Sequence, residues 1–277
     1  MIPRWLATLG PVALAACATP SLPTPPALAY GVPAPPVVRY AVGDTARVEI
    51  QAGAQSFAVS VSVAESWRME FTPTAAGTRV TATLTDMDGR LTNPLTSPQS
   101  ADESAVSGPV VFTLDRRGRP TVEALPTVTP AVAQFLSGSG MAHTFFPRLP
   151  GRTVGVGESW TDTVGYDTDE SGARTSVRSV VTYTAAGDSV ADGARYLLVR
   201  WTGTTEQSSA GSIGGTEFEQ AVAGTTGGQF LWDAAAGILR SLEYASELSG
   251  TMAVPIAPAP LEVRVRSRIR VVRVDGP

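Results

Sequence analysis

Four groups of residues carry side chains that could do chemistry. Cys17 is the only thiol in 277 residues, which excludes an intramolecular disulfide and any thiolate metal cluster. His143, the only histidine, stands in "GMAHTFFP". Imidazole metal sites need further His, Cys or clustered carboxylates, and none lie near it in the sequence. The chain has no Gly-x-Ser-x-Gly elbow that would give a serine nucleophile a base, so His143 reads as a structural residue between a helix and Phe145/Phe146. Asp167, Asp169, Ser171 and Gly172 occupy positions one, three, five and six of a calcium loop, yet Arg178 stands at position twelve, where a bidentate glutamate is required. That stretch reads as a solvated turn between strands, and no metal is expected. The fourth group is "LEVRVRSRIRVVRV", in which Arg264, Arg266, Arg268 and Arg270 alternate with Leu261, Val263, Val265, Ile269 and Val271.

A strand would place those arginines on one face, about 6.6 Å apart, where like charges repel unless a neighbour answers them. "SLEYASEL" offers Glu243 and Glu247 at alternating positions, and a hairpin through "GTMAVPIAPAP" brings them opposite. The competing reading is an anion-binding face for phospholipid headgroups or an acidic partner.

The setting of Cys17 explains a solitary thiol. Met1 to Arg4 carries one positive charge, and Trp5 to Leu14 is mostly apolar. That run has the length of a secretory leader core and is too short to span a bilayer as a helix. Leu14-Ala15-Ala16-Cys17 resembles the lipobox of bacterial lipoproteins. The resemblance implies cleavage before Cys17 and acylation of Cys17, so that membrane lipid becomes the first partner; each buried methylene adds about 0.8 kcal/mol to such an anchor. Ala18 resembles the residue that sorts such proteins to the outer membrane, facing the periplasm. The next twenty residues hold seven prolines, a composition that favours a polyproline II spacer of about 3.1 Å per residue, roughly 60 Å in all. The expected division is a leader over 1–16, a tether over 17–38, a first β repeat over 39–122, a helical connection over 123–150 and a second β repeat over 151–277.

Hydrophobic residues make up 43% of the chain and charged ones 17%, enough apolar matter for a buried core. The net charge of −4 and the absence of lysine exclude a polycationic nucleic-acid surface and Schiff-base or P-loop lysine chemistry. From Arg39 onward, Val, Thr, Tyr and Phe alternate with polar residues between Gly, Asp and Pro breaks, which predicts mostly β structure. One helix is predicted, with Thr129 as N-cap, Pro130 at the first position and Gly138 as terminator; a second short one fits Met141 to Phe146. Three pairs of segments match in order: Val42 with Val156, Gly77 with Gly193, and Gly118 with Gly237, at offsets of 114, 116 and 119. Two tandem copies, each with an uncovered apolar face, must pack on each other or form one curved antiparallel sheet. Trp67, Trp160, Trp201 and Trp232 fall in strand-like segments and read as core.

"FPRLPGRTVGVGESWTD", from Phe146 to Asp162, is similar to a segment of bacterial envelope lipoproteins with a lipoprotein-carrier-like architecture. The resemblance implies a curved antiparallel sheet around a short helical plug, and it brings no catalytic residue. The sequence therefore points to a non-enzymatic, cofactor-free envelope lipoprotein that binds an apolar or lipidic ligand. The alternative is an assembly lipoprotein with a filled core that binds another envelope protein through its surface.

Overall fold

A computed structural model describes residues 27–274 apart from residues 95, 130, 131, 134, 171 and 214. Cys17 and the expected leader lie outside the described residues. The strands in the first half are β1 (Val37–Ala52), β2 (Gln55–Thr74), β3 (Gly77–Thr92), β4 (Gln99–Asp102), β5 (Val106–Ser107), β6 (Val110–Leu114), β7 (Pro120–Ala124) and β8 (Thr127–Val128). Helix α1 (Gly138–Thr144) precedes β9 (Ser159–Glu170), β10 (Ala173–Ala191), β11 (Ala194–Ile213), β12 (Thr216–Asp233), β13 (Ile238–Ala253) and β14 (Leu261–Val274).

Eleven of these strands form one antiparallel meander in the order β7-β6-β3-β2-β1-β14-β13-β12-β11-β10-β9, with β4 added beside β3. The first and last long strands meet in its middle: β1 pairs β14 from Arg39↔Val274 to Gln51↔Glu262. The two halves of the chain therefore make one continuous curved sheet, a half-barrel, rather than two stacked ones. Alternation explains the faces. In β14, Val263 and Val271 are buried while Arg264, Arg266, Arg268 and Arg270 are exposed, as period-two patterning requires.

Glycines permit the curvature. Gly203, Gly224, Gly228 and Gly250 fall on the same parity as the buried residues of β11, β12 and β13. A Cβ at Gly224 would meet the Glu247 carbonyl oxygen at 2.0 Å, and one at Gly250 the Ala221 carbonyl oxygen at 2.0 Å. Adjacent backbones come that close on the concave side only where no side chain intervenes.

The concave face is filled at one end by residues 28–36 and 132–149. Phe146 and Leu149 are buried there against Trp67, Phe112, Phe230 and Trp232. The Tyr30 ring meets Phe146 and Trp232 edge-on at 5.5 and 5.0 Å. The Tyr30 hydroxyl donates to the Pro147 carbonyl at 2.9 Å, and Leu28 exchanges backbone hydrogen bonds with Gly151 and Arg152. The proline-rich stretch thus does not stay a spacer up to residue 38. Its later part straps onto the sheet, because Leu28 and Tyr30 each find an apolar slot and β1 already starts at Val37.

The helix also differs from expectation. Val132 and Ala133 donate to the Thr129 carbonyl, and Phe135 and Leu136 donate to the Val132 carbonyl. Val132, Phe135 and Leu136 are buried, at the i, i+3, i+4 spacing of a helical face, and residues 130, 131 and 134 of the expected helix lie outside the described residues. Ser137 then acts as N-cap, its side chain accepting from Gly140 N–H. Gly138 starts α1 instead of ending a helix, and α1 overlaps the second short helix expected near Met141. Of the paired segments, Gly77 and Gly193 both close β-hairpins, and Asp115 and Asp233 both accept turn hydrogen bonds, from Gly118 and Gly237. Val42 and Val156 do not coincide: Val42 is inside β1, whereas Val156 precedes β9.

Candidate functional site: a cavity under the helix

Where α1 leaves the concave face, a cavity of about 480 Å3 opens between the helix and the sheet. Its apolar wall includes Val42 of β1, Phe135, Leu136, Met141, Leu242 of β13 and Ile269 of β14. Beyond it, Ile50, Val222, Leu248 and Val263 form a second buried cluster with Val48, Phe57, Met252, Leu261 and Val265 against it. The long strands thus carry an apolar surface past the part that the helix covers.

A polar belt crosses this surface. Ser179, Thr205, Thr226, Ser246 and Ser267, one from each of β10 to β14, all line the cavity. Ser179 and Thr205 share a hydrogen bond of 2.8 Å, and Thr226 and Ser246 one of 2.9 Å. In each pair one hydroxyl donates to the other, and Thr226 also reaches the Ala245 carbonyl at 3.3 Å, so part of the belt's polarity is satisfied within the sheet.

Buried polar atoms on the cavity lining that have no hydrogen-bond partner among the described residues are Asp44 Oδ1, His143 Nδ1, Arg148 Nε and Trp201 Nε1. Such atoms cost free energy when left alone. Asp44 of β1 and Glu65 of β2 both face inward. Their backbone register is diagonal, since Val42 is the residue opposite Glu65. Burial pushes the Asp44 carboxyl up to about 6. Burial pushes Glu65 up to about 7, against the opposing effect of a 2.6 Å hydrogen bond from Trp67 Nε1–H. The His143 ring stacks on Tyr166 at 4.8 Å. Burial, aided by the Arg148 charge, lowers it to about 4, so the imidazole is neutral at physiological pH. Burial raises Tyr166 to about 12 and Tyr244 well above its ordinary value.

Arg148 is 3% exposed. It donates to the carbonyls of Gly118 and His143, and its own carbonyl accepts from Trp160 Nε1–H at 3.0 Å. Asp162, also buried, accepts from Arg117 and Arg119 at 3.0 Å each. The segment from Phe146 to Asp162 is therefore a structural fastening that holds helix, turn and β9 together.

The residues singled out from the sequence lie elsewhere or act differently. The arginine stripe is on the outer face of β14, opposite the cavity side. Arg268 pairs with Glu243. Arg266 lies 3.7 Å from both Glu247 and Glu49, and Arg264 stands in register with Glu49. The sequence indicated Glu243 and Glu247; Glu49 comes from β1, which pairs with β14 only through the tertiary fold. Asp167 and Asp169 are exposed on the extended strand β9, which pairs with β10 from Glu170↔Ala173 onward. Two carboxylates on one straight strand cannot wrap a cation, and no group of three metal-binding side chains occurs among the described residues. His143, expected as a structural residue between a helix and Phe145/Phe146, lies in the last turn of α1 and stacks on Tyr166. Trp67, Trp160 and Trp232 are core, while Trp201 lines the cavity. Asp44 and Glu65 were missed, although a signal exists: each occupies an apolar-parity position, in the series Val42, Asp44, Ala46, Val48 and Val61, Val63, Glu65, Trp67.

No protein-family model and no curated protein matches the chain. Among solved structures the chain is similar to Neisserial surface protein A, with a TM-score of 0.25 and 9% identity over 86% of this chain and 97% of that one. It is also similar to the β domain of the Bordetella autotransporter BrkA (TM-score 0.26, 11% identity, 87% and 99% covered). A third similarity is to Pseudomonas aeruginosa OccK2 in complex with glucuronate (TM-score 0.23, 6% identity, 86% and 98% covered). Likenesses at these TM-scores carry no argument about this chain's fold or function.

Proposed function

We propose that this chain is an extracytoplasmic lipoprotein, acylated at Cys17, tethered to the outer membrane on its periplasmic side, that holds an apolar or lipidic ligand without catalysing a reaction on it. The observation that carries the reading is the cavity of about 480 Å3 between α1 and the concave sheet, a volume within the usual range of roughly 300–1,000 Å3 for small-molecule sites. The apolar extension beyond the polar belt suits a ligand with a long tail. The lipobox and the carrier-like segment from Phe146 to Asp162 support the address and the ligand class. We read the sheet as two tandem copies joined by the α1 segment, because both copies place a glycine hairpin and an Asp-Gly turn in the same order.

The alternative, an assembly lipoprotein acting through its outer face, loses its main candidate surface, because the central arginines of β14 already pair with carboxylates. Native mass spectrometry of the purified chain tests the reading. A co-purified apolar molecule that organic extraction removes supports it; a chain that carries none, and takes up none of an added series of alkyl amphiphiles, overturns it.

A further inference from the structure

The polar end of the cavity says more about its occupant than its volume does. Resting on the ligand-binding reading above, we propose that the cavity selects an amphiphile with a protonated amine headgroup, which Asp44 and Glu65 bind while the apolar wall takes the tail.

The first argument is the missing counter-charge. Asp44 and Glu65 make no ion pair among the described residues; Arg39 and Arg47 of β1 and Arg264, Arg266, Arg268 and Arg270 of β14 project from the other face of the sheet, and Arg273, on the inward parity, pairs with Asp233. One guanidinium lines the cavity, that of Arg148, but it donates to two backbone carbonyls and has Asp162 and Asp115 as its acidic neighbours. The negative pair is therefore unanswered by the protein itself. Its carboxyls are raised only to about 6 and about 7, so both carry charge at mildly alkaline pH.

The second argument is hydrogen-bond accounting at the two carboxyls; the Arg148 Nε–H and Trp201 Nε1–H groups are donors that an ammonium leaves unanswered. Among the described residues Asp44 Oδ1 is buried without a donor, and Glu65 accepts from the Trp67 indole. An ammonium group has three N–H donors and no acceptor, which suits two carboxylates placed diagonally on adjacent strands about 7–8 Å apart at the backbone. An alcohol offers one donor, and a fatty carboxylate would add a third negative charge to the pair. Tyr244 and Trp201, whose rings meet at 5.6 Å, line the same cavity and add faces of the kind that attract cations. The neutral His143 adds no positive charge that would oppose one.

The test uses the full chain carrying Cys17→Ser, titrated calorimetrically at mildly alkaline pH with three probes that share one tail: octylammonium, octan-1-ol and octanoate. Octylammonium is expected to bind about tenfold tighter than octanol, the factor that one or two hydrogen bonds to a charged acceptor supply, with octanoate weakest. The double variant Asp44→Asn, Glu65→Gln, checked by its melting transition, is expected to bring octylammonium to octanol's level. Octanoate binding as tightly as octylammonium overturns the proposal, as does an amine preference that survives the double variant. Equal binding of all three probes overturns the headgroup assignment and leaves the ligand-binding reading standing; no binding of any probe overturns both. The wild-type ranking decides the question even if the double variant does not fold.

Discussion

Asp44, Glu65 and His143 make the cavity a pH-sensitive part of the fold. The ordinary values of Asp44 and Glu65 are 3.8 and 4.5, and in the folded chain they rise to about 6 and about 7. As pH climbs through that interval the unfolded chain releases protons that the folded one keeps, so these groups progressively disfavour folding, and their penalty is complete above the folded values. His143 acts in the opposite direction. Its value falls from 6.5 to about 4, so it costs stability as pH drops through that range. The unliganded Glu65→Gln variant is therefore expected to melt at a higher temperature than the wild type at about pH 8 and at the same temperature near pH 4, where Glu65 is protonated in both states. Melting curves across that range check it, and parallel curves for the two proteins would contradict the burial of this carboxyl. The inward direction of both carboxyls is readable from alternation once β1 and β2 are assigned. Their meeting is not, because Asp44 and Glu65 come together only through the β1–β2 register.

At the scale of the element, β12, β13 and β14 show how much a strand's own sequence specifies. The alternation of β14 fixes its two faces, and its arginines demand acidic neighbours. Reversing one charge tests that demand: Arg268→Glu, placed against Glu243, is expected to cost about 1 kcal/mol or less, as exposed pairs do, and Glu243→Arg in the same chain is expected to restore most of it. Urea unfolding measures both. The glycines of β12 and β13 are legible as strand interruptions, but the reason for them is not local. Gly224→Ala brings a Cβ to 2.0 Å from the Glu247 carbonyl oxygen, and a loss of about 1–3 kcal/mol is expected from overpacking. Gly227→Ala is the control, since its Cβ would have 3.3 Å to its nearest atom. Equal effects at the two positions would show that strand propensity, not close backbone approach, selects glycine there. The start of α1 shows the opposite case. Gly138 reads locally as a helix terminator, yet α1 takes its cap at Ser137 and starts at Gly138.

At the scale of the whole molecule, closure of the chain on itself is the decisive event. The pairing of β1 with β14 joins residues more than two hundred positions apart and turns two half-sheets into one. The strap formed by residues 28–36 then seals one end of the concave face, so the folded unit begins well before Arg39. The proposed membrane attachment is separate from all of this. Cys17→Ser is expected to move the chain from the membrane to the soluble fraction with no change in the melting transition of the sheet. Fractionation followed by a melt of the recovered protein checks both halves, and a variant that stays with the membrane counts against acylation as the anchor.

Local order was written in the residues: period-two alternation gave the strands, Gly and Asp the turns, and Leu14 to Cys17 the expected address. These signals need only near neighbours, because the pleat and the turn are local geometries. The cavity belongs to the other category. Its floor takes one residue from each of several strands and its roof from a helix between them, so its existence, its unpartnered carboxyl and its volume depend on registers set by long-range pairing. Curvature decided the rest, since a flat sheet with the same alternation would have no concave side to enclose anything.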